Sequence, residues 1–351
     1  MSEYHNNRSN QLDDPYERGF ADKLYEDYPY EPQDIVVSEE PEYKPYCAPK
    51  RKKKHIFLKL MIGFFGSVLL LLIAFIGFLA FYSDCPNESQ GHKSNVSTIL
   101  IAGTDESGLR TDTLMLLCAD RENGKINLMS IPRDTKVNST YEPHKINLAY
   151  HANGTGEEGM YWLMDYVRQC VGFVPDGYVL IDLDCIIELV ELFGGIDFDV
   201  PCAMKHSEPE DDLYIDLQPG LQRLNGKEAM WLVRFRSGYA MADLERVRVQ
   251  RDFVVAAMDQ WLTVKNIKKI PQVLDILEEY CDTNLSTRNF VWFAWSVLFC
   301  GTSDMKMTTV PYYLSGQYVC IDADEDYLDL LNSYFNPYKE PIGFDDLNIA
   351  Y

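Results

Sequence analysis

Two absences narrow the chemistry of this sequence before any motif is considered. Its nine cysteines include no CxxC pair, the spacing typical of structural zinc sites and of thioredoxin-type redox sites. Positive charge is also scarce, because residues 83–351 carry 42 acidic and 22 basic side chains, a net charge of −20. Nucleic-acid binding needs clustered positive charge against phosphates, so this part of the chain is a poor candidate for it.

Residues 1–54 also lack regular patterning. They are rich in Tyr, Glu, Asp, Pro and Asn and show neither helical nor strand periodicity. Segments of this kind bury too little apolar surface to offset the entropy of ordering, so we predict a disordered tail. The tail contains no helix-turn-helix pattern, and its one basic cluster, KRKKK at residues 50–54, adjoins an apolar run. Both features argue against a DNA-binding regulator.

A long apolar segment follows the tail. Residues 55–82 contain only His55 and Lys59 as ionisable side chains apart from the tyrosine, and about 20 apolar residues suffice to cross a bilayer. The segment lies too far from the start of the chain for a typical cleaved signal peptide. Basic residues on its N-terminal side favour a cytoplasmic N-terminus. We therefore predict a single-pass anchor in the cell membrane, with the remaining chain extracytoplasmic.

After a polar linker at residues 83–96, the pattern is that of an α/β domain, which we place at residues 97–345. Apolar strands are predicted at 97–103, 111–120 and 125–131, and the pair Asn123–Gly124 indicates a hairpin between the last two. Helices and strands then alternate, with strands at residues 177–184 and 196–201, Gly172 and Gly194 as helix stops and Asn225 as a helix cap. Strands that are apolar throughout predict helices on both faces of the sheet.

Eight cysteines lie beyond the anchor. Cys118 falls in an apolar strand and Cys300 in an apolar helix, and we expect both to be buried as small hydrophobic side chains. A disulfide is compatible with an extracytoplasmic location, but its pairing cannot be read from the sequence.

Arginines and aspartates stand at the ends of the predicted strands. Asp105, Arg110 and Asp112 border the first two strands, and Arg133 with Asp134 follows the third. A further group lies in residues 233–252, and comprises Arg234, Arg236, Asp243, Arg246, Arg248, Gln250 and Arg251. In open α/β sheets, ligands bind beyond the carboxyl ends of strands.

The spacing of Arg234 and Arg236 makes a local prediction. Residues two apart lie on different faces of a helix but on the same face of an extended segment. If both arginines reach one ligand, the chain must leave its helix near Arg234. We expect Arg248 and Arg251, by contrast, to be solvated or structural positions on a helix.

These residue types suit a pyrophosphate ligand. Arginine presents a planar fork of donors to phosphate oxygens, and two aspartates can hold Mg²⁺, which also binds phosphate. The alternative interpretation, from spacing alone, is a set of ordinary salt bridges at strand and helix ends.

The order of the motifs resembles the LytR-CpsA-Psr family of Gram-positive cell-wall enzymes. The chain carries GTD with RTDT, SIPRDT, HKINLAY, VLIDL with LVELFGGIDFDVP, LNGKEAMWLVRFR and DLERVRVQ, in that order, from about residue 97 to residue 262. The resemblance implies a three-layer α/β/α domain with a mixed central sheet and a long apolar channel for a polyprenyl chain. It also implies a phosphotransferase that moves a glycopolymer, such as teichoic acid or a capsule polysaccharide, from a polyprenyl pyrophosphate carrier to peptidoglycan.

The resemblance also assigns roles to residues. Asp105 and Asp112 match the family's magnesium ligands, and the pyrophosphate contacts match Arg110, Arg133, Arg234, Arg236, Arg246 and Gln250. Arg133, Arg234, Arg236, Asp112 and Asp243 match the catalytic set, with Asp112 or Asp243 as candidates for accepting the acceptor's proton. The chain departs from the family at Ala242, where a glycine is usual, and at Val249, where an arginine is usual. The helices at residues 159–172 and 251–262 carry aromatic and aliphatic side chains, which makes them candidates for the channel lining, with plain core packing as the alternative.

Two other functions use the same features. Water in place of the sugar hydroxyl would make the protein a polyprenyl pyrophosphate hydrolase with identical residues. A non-catalytic or regulatory protein that binds the lipid or the wall polymer would retain the cavity without turnover. Product analysis distinguishes a hydrolase from a transferase. A magnesium requirement for turnover distinguishes an enzyme from a binding protein.

Overall fold

The computed structural model describes residues 56–86, 91–104, 108, 110–152, 154–208, 213–235 and 242–350. The chain divides into two units, residues 1–60 and 61–351. In the first unit only the beginning of a helix at residues 56–60 is described, so the predicted disordered tail at residues 1–54 lies outside the described residues.

Helices and strands follow one another along the described chain. The helices are α1 Ile56–Tyr82, α2 Ala149–Ala152, α3 Gly156–Val171, α4 Leu183–Phe193, α5 Gly226–Arg234, α6 Ala242–Trp261, α7 Ile270–Tyr280, α8 Thr287–Cys300 and α9 Glu325–Tyr334. The strands are β1 Val96–Thr104, β2 Thr111–Asp120, β3 Lys125–Ser130, β4 Gly177–Ile181, β5 Ile196–Val200, β6 Met204–Glu208, β7 Leu213–Leu217, β8 Gly220–Leu224, β9 Cys281–Thr283, β10 Lys306–Thr309, β11 Tyr312–Ser315 and β12 Tyr318–Ile321.

The predicted membrane anchor lies partly outside the described residues. Among those that are described, no helix combines the length and the apolar composition that crossing a membrane requires. His55 and the side chain of Lys59, both within the segment at residues 55–82, are not among them. The anchor therefore stays a prediction.

The central sheet is mixed and has six strands in the order β10-β3-β2-β1-β4-β9. β2 pairs antiparallel with both β1 and β3, whereas β4 runs parallel to β1 and β10 runs parallel to β3. The hairpin predicted at Asn123–Gly124 is confirmed, since Asp120 pairs with Lys125 across the turn. Gly124 has a φ of 65° there, a conformation that glycine adopts without the strain of a Cβ.

Both faces of the sheet are buried, as the apolar strands predicted. Leu100 and Leu116 face a core that includes residues of α3 and α9. Ile99 and Leu117 face the opposite core, to which α6 and α8 contribute. Alternate residues of one strand thus enter different cores, because successive side chains in a strand point to opposite sides. The prediction of an α/β domain with a mixed sheet between helices is confirmed.

A third apolar cluster lies beside the sheet. It joins β5 to β8 with α4, α5 and α6 through buried side chains such as Val190, Phe198, Leu232 and Phe253. β5 pairs with β8, and β6 pairs with β7. Of these four strands only β5 was predicted. All three others are short, and β6 and β8 also lack an apolar run.

The predicted helix ends are confirmed. Gly172 and Gly194, with φ of 85° and 77°, end α3 and α4 in the left-handed conformation that favours glycine. Asn225 begins α5 with a capping box, in which its side chain accepts from the Glu228 N–H and the Glu228 carboxylate accepts from the Asn225 N–H.

Candidate active site

The sheet topology brings the strand-end residues to one edge. β1, β3 and β4 run in one direction and β2 runs in the other, so the carboxyl ends of the first three lie beside the start of β2. Thr104 pairs with Thr111, Ser130 pairs with Met115, and Gly103 pairs with Ile181. Asp112 and Arg133 therefore meet at this edge, although they occupy opposite ends of their strands.

Asp112 is held by two arginines. Arg133 donates from Nη1 to Asp112 Oδ1 at 2.8 Å. Arg246 donates from Nη2 to the Asp112 carbonyl at 3.3 Å, and its Nη1 lies 4.0 Å from Asp112 Oδ2. Arg246 is only 1% exposed, and burial of a charge requires a partner of opposite charge or several hydrogen bonds. Asp112 supplies Arg246 with an opposite charge and one hydrogen bond.

Contacts of its backbone and of its side chain also hold Arg133 in place. Its carbonyl accepts from the Asn147 N–H at 3.1 Å, and its Nε lies 3.9 Å from Asp134 Oδ2. Lys145 occupies the other oxygen of Asp134 at 2.8 Å. The HKINLAY segment, which contains Lys145 and Asn147, thus has a structural role beneath the PRD segment that its sequence did not reveal.

α5 ends where the spacing of Arg234 and Arg236 required. The helix stops at Arg234, and Phe235 is extended with φ −60° and ψ 132°. Arg236 lies outside the described residues, so its reach stays a prediction. Gln250 ties this junction to α6 by donating from Nε2 to the Val233 carbonyl at 2.9 Å. Within the described residues, the buried Gln250 Oε1 has no hydrogen-bond partner.

These side chains line a cavity of about 800 Å³. Its charged lining comprises Arg110, Asp112, Arg133, Asp182, Arg234 and Arg246. Its apolar lining includes Ile101, Met115, Ile181, Ile186, Leu189, Phe193, Phe253, Val254, Ala257, Met258, Trp261, Leu262, Val273 and Leu277. The volume is within the range of about 300–1,000 Å³ that is usual for ligand sites.

α6 shows how the cavity changes in polarity. Its first cavity residues are Arg246 and Gln250, and the later ones are apolar, ending at Trp261. At a rise of 1.5 Å per residue, the helix carries this gradient over roughly 20 Å. Four arginines and two aspartates among the charged lining residues leave a local positive charge in an otherwise acidic region. Chemically, the site matches an anionic head group joined to an apolar chain.

Of the two candidate helices, α6 lines the cavity and α3 packs in the core. α6 lines the cavity with Phe253, Val254 and Ala257. α3 contributes nothing to the described lining, because its apolar residues, such as Leu163 and Val167, pack on the opposite face of the sheet. Two further walls, which were not predicted, come from α4 and α7. Their apolar spacing is that of any amphipathic helix, so only their packing identifies them.

The remaining predicted residues differ in burial, and two of them fall outside the described chain. Arg248 is a solvated position, with its side chain 75% exposed and its Nε 3.6 Å from Asp252, as predicted. Arg251 contacts Asp252 at 3.4 Å. Val249, at the position of the usual arginine, is buried in the cluster beside the sheet. Asp105 and the side chain of Asp243 lie outside the described residues.

The described residues of the cavity fit a Mg²⁺ ion that takes most of its ligands from substrate phosphate and water. No group of three or more His, Cys, Asp or Glu side chains with metal-binding geometry occurs among the described residues. Mg²⁺ usually binds one or two carboxylates and completes its shell with phosphate oxygens and water. Asp112 provides one such carboxylate at the cavity wall, and the second predicted ligand, Asp105, is not among the described residues.

The fold and the cavity define an α/β protein whose cavity has a charged end and an apolar wall. The chain belongs to the LytR_cpsA_psr family, whose model matches residues 82–335. The resemblance of its motifs to this family is thereby confirmed.

Two curated relatives carry different descriptions. The chain is 27% identical over 263 residues to the polyisoprenyl-teichoic acid–peptidoglycan teichoic acid transferase TagV of Bacillus subtilis, covering 72% of this chain and 63% of TagV. It therefore spans less than two thirds of that relative's length. It is 28% identical over 239 residues to the regulatory protein MsrR of Staphylococcus aureus, covering 66% of this chain and 70% of MsrR.

Solved structures share the fold. The crystal structure of Bacillus subtilis TagV aligns with a TM-score of 0.54 at 24% identity, over 68% of this chain and 95% of that one. TagT bound to LIIa-WTA aligns with a TM-score of 0.52 at 19% identity, over 71% and 93% respectively.

Proposed function

We propose that this protein is a membrane-anchored, Mg²⁺-dependent phosphotransferase that moves an anionic glycopolymer from a polyprenyl pyrophosphate carrier to peptidoglycan. The observation that carries the proposal is the cavity, which combines an extended apolar wall with Arg110, Arg133, Arg234 and Arg246. The relationship to TagV, a teichoic acid transferase, supports the class of donor and of acceptor.

The apolar part of the cavity would hold the polyprenyl chain. α4, α6 and α7 supply this wall, and burial of apolar surface would contribute about 25 cal/mol for each Å² removed from water. The arginines would then hold the pyrophosphate where the apolar wall ends, with planar guanidinium groups facing phosphate oxygens. Gln250, whose Oε1 is buried without a partner in the described residues, is available to accept a hydrogen bond from the bound donor.

Asp112, together with Asp105, would hold Mg²⁺. When bound, the ion would neutralise negative charge that develops on the leaving phosphate. Arg133 orients the Asp112 carboxylate through the contact at 2.8 Å, and Arg246 holds the Asp112 backbone carbonyl at 3.3 Å. Such pre-positioned charges lower the reaction barrier because they need no reorganisation when charge develops.

Transfer would proceed by attack of a peptidoglycan hydroxyl, usually the 6-hydroxyl of N-acetylmuramic acid in the family, on the phosphorus that bears the glycopolymer. A phosphodiester bond forms to the wall sugar, and the bond to the polyprenyl phosphate breaks. Arg110, Arg133, Arg234 and Arg236 would stabilise the departing phosphate. Asp112 or Asp243 would accept the proton of the hydroxyl, a contribution of about 100- to 10,000-fold.

The predicted anchor would place the catalytic domain near both substrates. The apolar run at residues 55–82 and the basic cluster at residues 50–54 support a cytoplasmic N-terminus and an extracytoplasmic catalytic domain. A polyprenyl carrier resides in the same membrane, and peptidoglycan lies outside it. The protein would thus meet both substrates at the extracytoplasmic face of the cell membrane.

The test uses the full chain in detergent with a polyprenyl pyrophosphate-linked sugar, peptidoglycan oligomers and Mg²⁺, and identifies products by mass spectrometry. We expect a sugar joined to the glycan through a phosphodiester, and its formation should stop on addition of EDTA and resume with excess Mg²⁺. Release of free sugar phosphate without an adduct would identify a hydrolase. Tight donor binding without any product would identify a binding or regulatory protein, as the match to MsrR would suggest.

A further inference from the structure

Two cysteines from separate elements meet beside the cavity. Cys185 lies in the first turn of α4 and is fully buried, and Cys281 is the residue at which α7 ends and β9 begins. Their Sγ atoms are 3.5 Å apart although the residues are 96 positions apart in the chain. The distance is that of two thiols in direct contact.

The backbone around this pair is held firmly in place. β4 and β9 pair antiparallel, with Ile181 opposite Cys281. The Asp182 N–H donates to the Tyr280 carbonyl at 3.1 Å, and the Asp182 side chain caps α4 by accepting from the Asp184 N–H. Both cysteines are therefore attached to a hydrogen-bonded strand pair and a capped helix.

The elements joined by this contact are walls of the cavity. α4 lines it with Ile186, Leu189 and Phe193, and α7 lines it with Val273 and Leu277. We propose that Cys185 and Cys281 form an intrachain disulfide, a covalent modification that clamps α4 to the junction of α7 and β9 and so fixes two walls of the cavity. The bond itself does not depend on the proposed transferase activity, whereas its formation in the cell rests on the proposed extracytoplasmic location.

The bond requires an oxidant of the disulfide class, either a thiol oxidoreductase or a small-molecule disulfide. One protein thiolate attacks the oxidant and forms a mixed disulfide, and the second protein thiol displaces the remaining thiolate. The two protein thiols lose two protons and two electrons in total, and the oxidant becomes two thiols. The sulfurs then move from 3.5 Å to about 2.05 Å apart.

The environment of Cys281 bears on when the bond forms. Its contact with Cys185, followed by burial, raises the pKa of the Cys281 thiol far above the ordinary value of 9.0. Because the thiolate is the reactive form, oxidation of the folded, reduced protein should be slow. We expect the bond to form during folding or when this wall transiently opens.

The first experiment maps the thiols of the full chain, purified in detergent. The protein is incubated with oxidised glutathione at about pH 8, with and without mild urea to open the wall, and is then denatured, alkylated and digested. Mass spectrometry should find the Cys185 peptide joined to the Cys281 peptide. Alkyl label on both cysteines under both conditions would overturn the proposal. The mapping uses no donor or acceptor, so it remains decisive even if the transferase assay fails.

A second experiment measures the thermal midpoint of the oxidised full chain with and without reductant. A cross-link closing a loop of roughly 100 residues should raise the midpoint by about 5–10 °C. The matched control Cys202→Ser, at a half-buried position between β5 and β6, should keep the full response to reductant. The double variant Cys185→Ser with Cys281→Ser should lose that response. An equal response in the double variant would refute the assignment.

Discussion

Replacement of Arg133 by alanine tests the phosphate site most directly. Arg133 lines the cavity and donates to Asp112 Oδ1 at 2.8 Å. The alanine variant would lose a planar phosphate donor and one of the two groups that orient Asp112. Removal of a single donor of this kind costs about 100- to 1,000-fold in kcat, or roughly 3–4 kcal/mol of transition-state stabilisation.

The same change should cost little stability. The Arg133 and Asp112 side chains are 20% and 16% exposed, and Arg246 continues to hold the Asp112 carbonyl. We expect a loss of about 1 kcal/mol in the free energy of unfolding, as for a partly exposed ion pair. Lower activity with an almost unchanged thermal midpoint therefore distinguishes a site defect from misfolding.

Two further variants make this experiment selective. Arg133→Lys keeps the charge but loses the fork of donors, so its transfer rate should lie between those of the wild type and Arg133→Ala. Arg248→Ala removes an arginine with a 75% exposed side chain that pairs with Asp252 at 3.6 Å, and should leave the rate within about twofold. The assay is kcat and KM for transfer by the full chain in detergent. An Arg133→Ala enzyme within threefold of wild type would refute the assigned role.

Three other changes probe the cavity, the packing and the pH response. Ala257→Phe would fill part of the cavity beside its apolar wall and should raise KM about tenfold for a long polyprenyl donor. An equal rise in KM for a short-chain donor would contradict this role. Gly226→Ala places a Cβ 2.7 Å from the Ile187 carbonyl oxygen, a backbone atom that cannot move away cheaply, so calorimetry should show a loss of about 1–3 kcal/mol. Burial alone would lower the pKa of His92, but the hydrogen bond and charge of Asp176 outweigh it and raise the pKa above 6.5. The protonated His92 therefore contributes its full stabilisation below about pH 6.5 and loses it as pH rises through the folded-state pKa. The thermal midpoint of the wild type should exceed that of His92→Gln by less and less from about pH 6 to pH 9. A difference that stays constant over this range would refute the ion pair's contribution.

The local structure of this protein follows largely from its sequence. Apolar strands, amphipathic helices and their caps depend on neighbouring residues. For this reason β1 to β4, the glycine stops of α3 and α4, and the cap of α5 at Asn225 were predictable from the sequence. The end of α5 at Arg234 was likewise predictable, because two arginines can share a ligand only from an extended segment. Short polar strands such as β6 and β8 were missed, since their pairing depends on partners distant in the sequence.

Tertiary structure decided which of these parts work together. Asp112 meets Arg133 because β2 runs against β1 and β3, and it meets Arg246 across 134 positions of the chain. Packing likewise placed α6 beside the cavity and α3 on the opposite face of the sheet, although the two helices are comparably apolar in sequence. The same folding brought the sulfurs of Cys185 and Cys281 to 3.5 Å. Residue type and spacing specify the local elements, but only strand order and direction determine which of their side chains share a site.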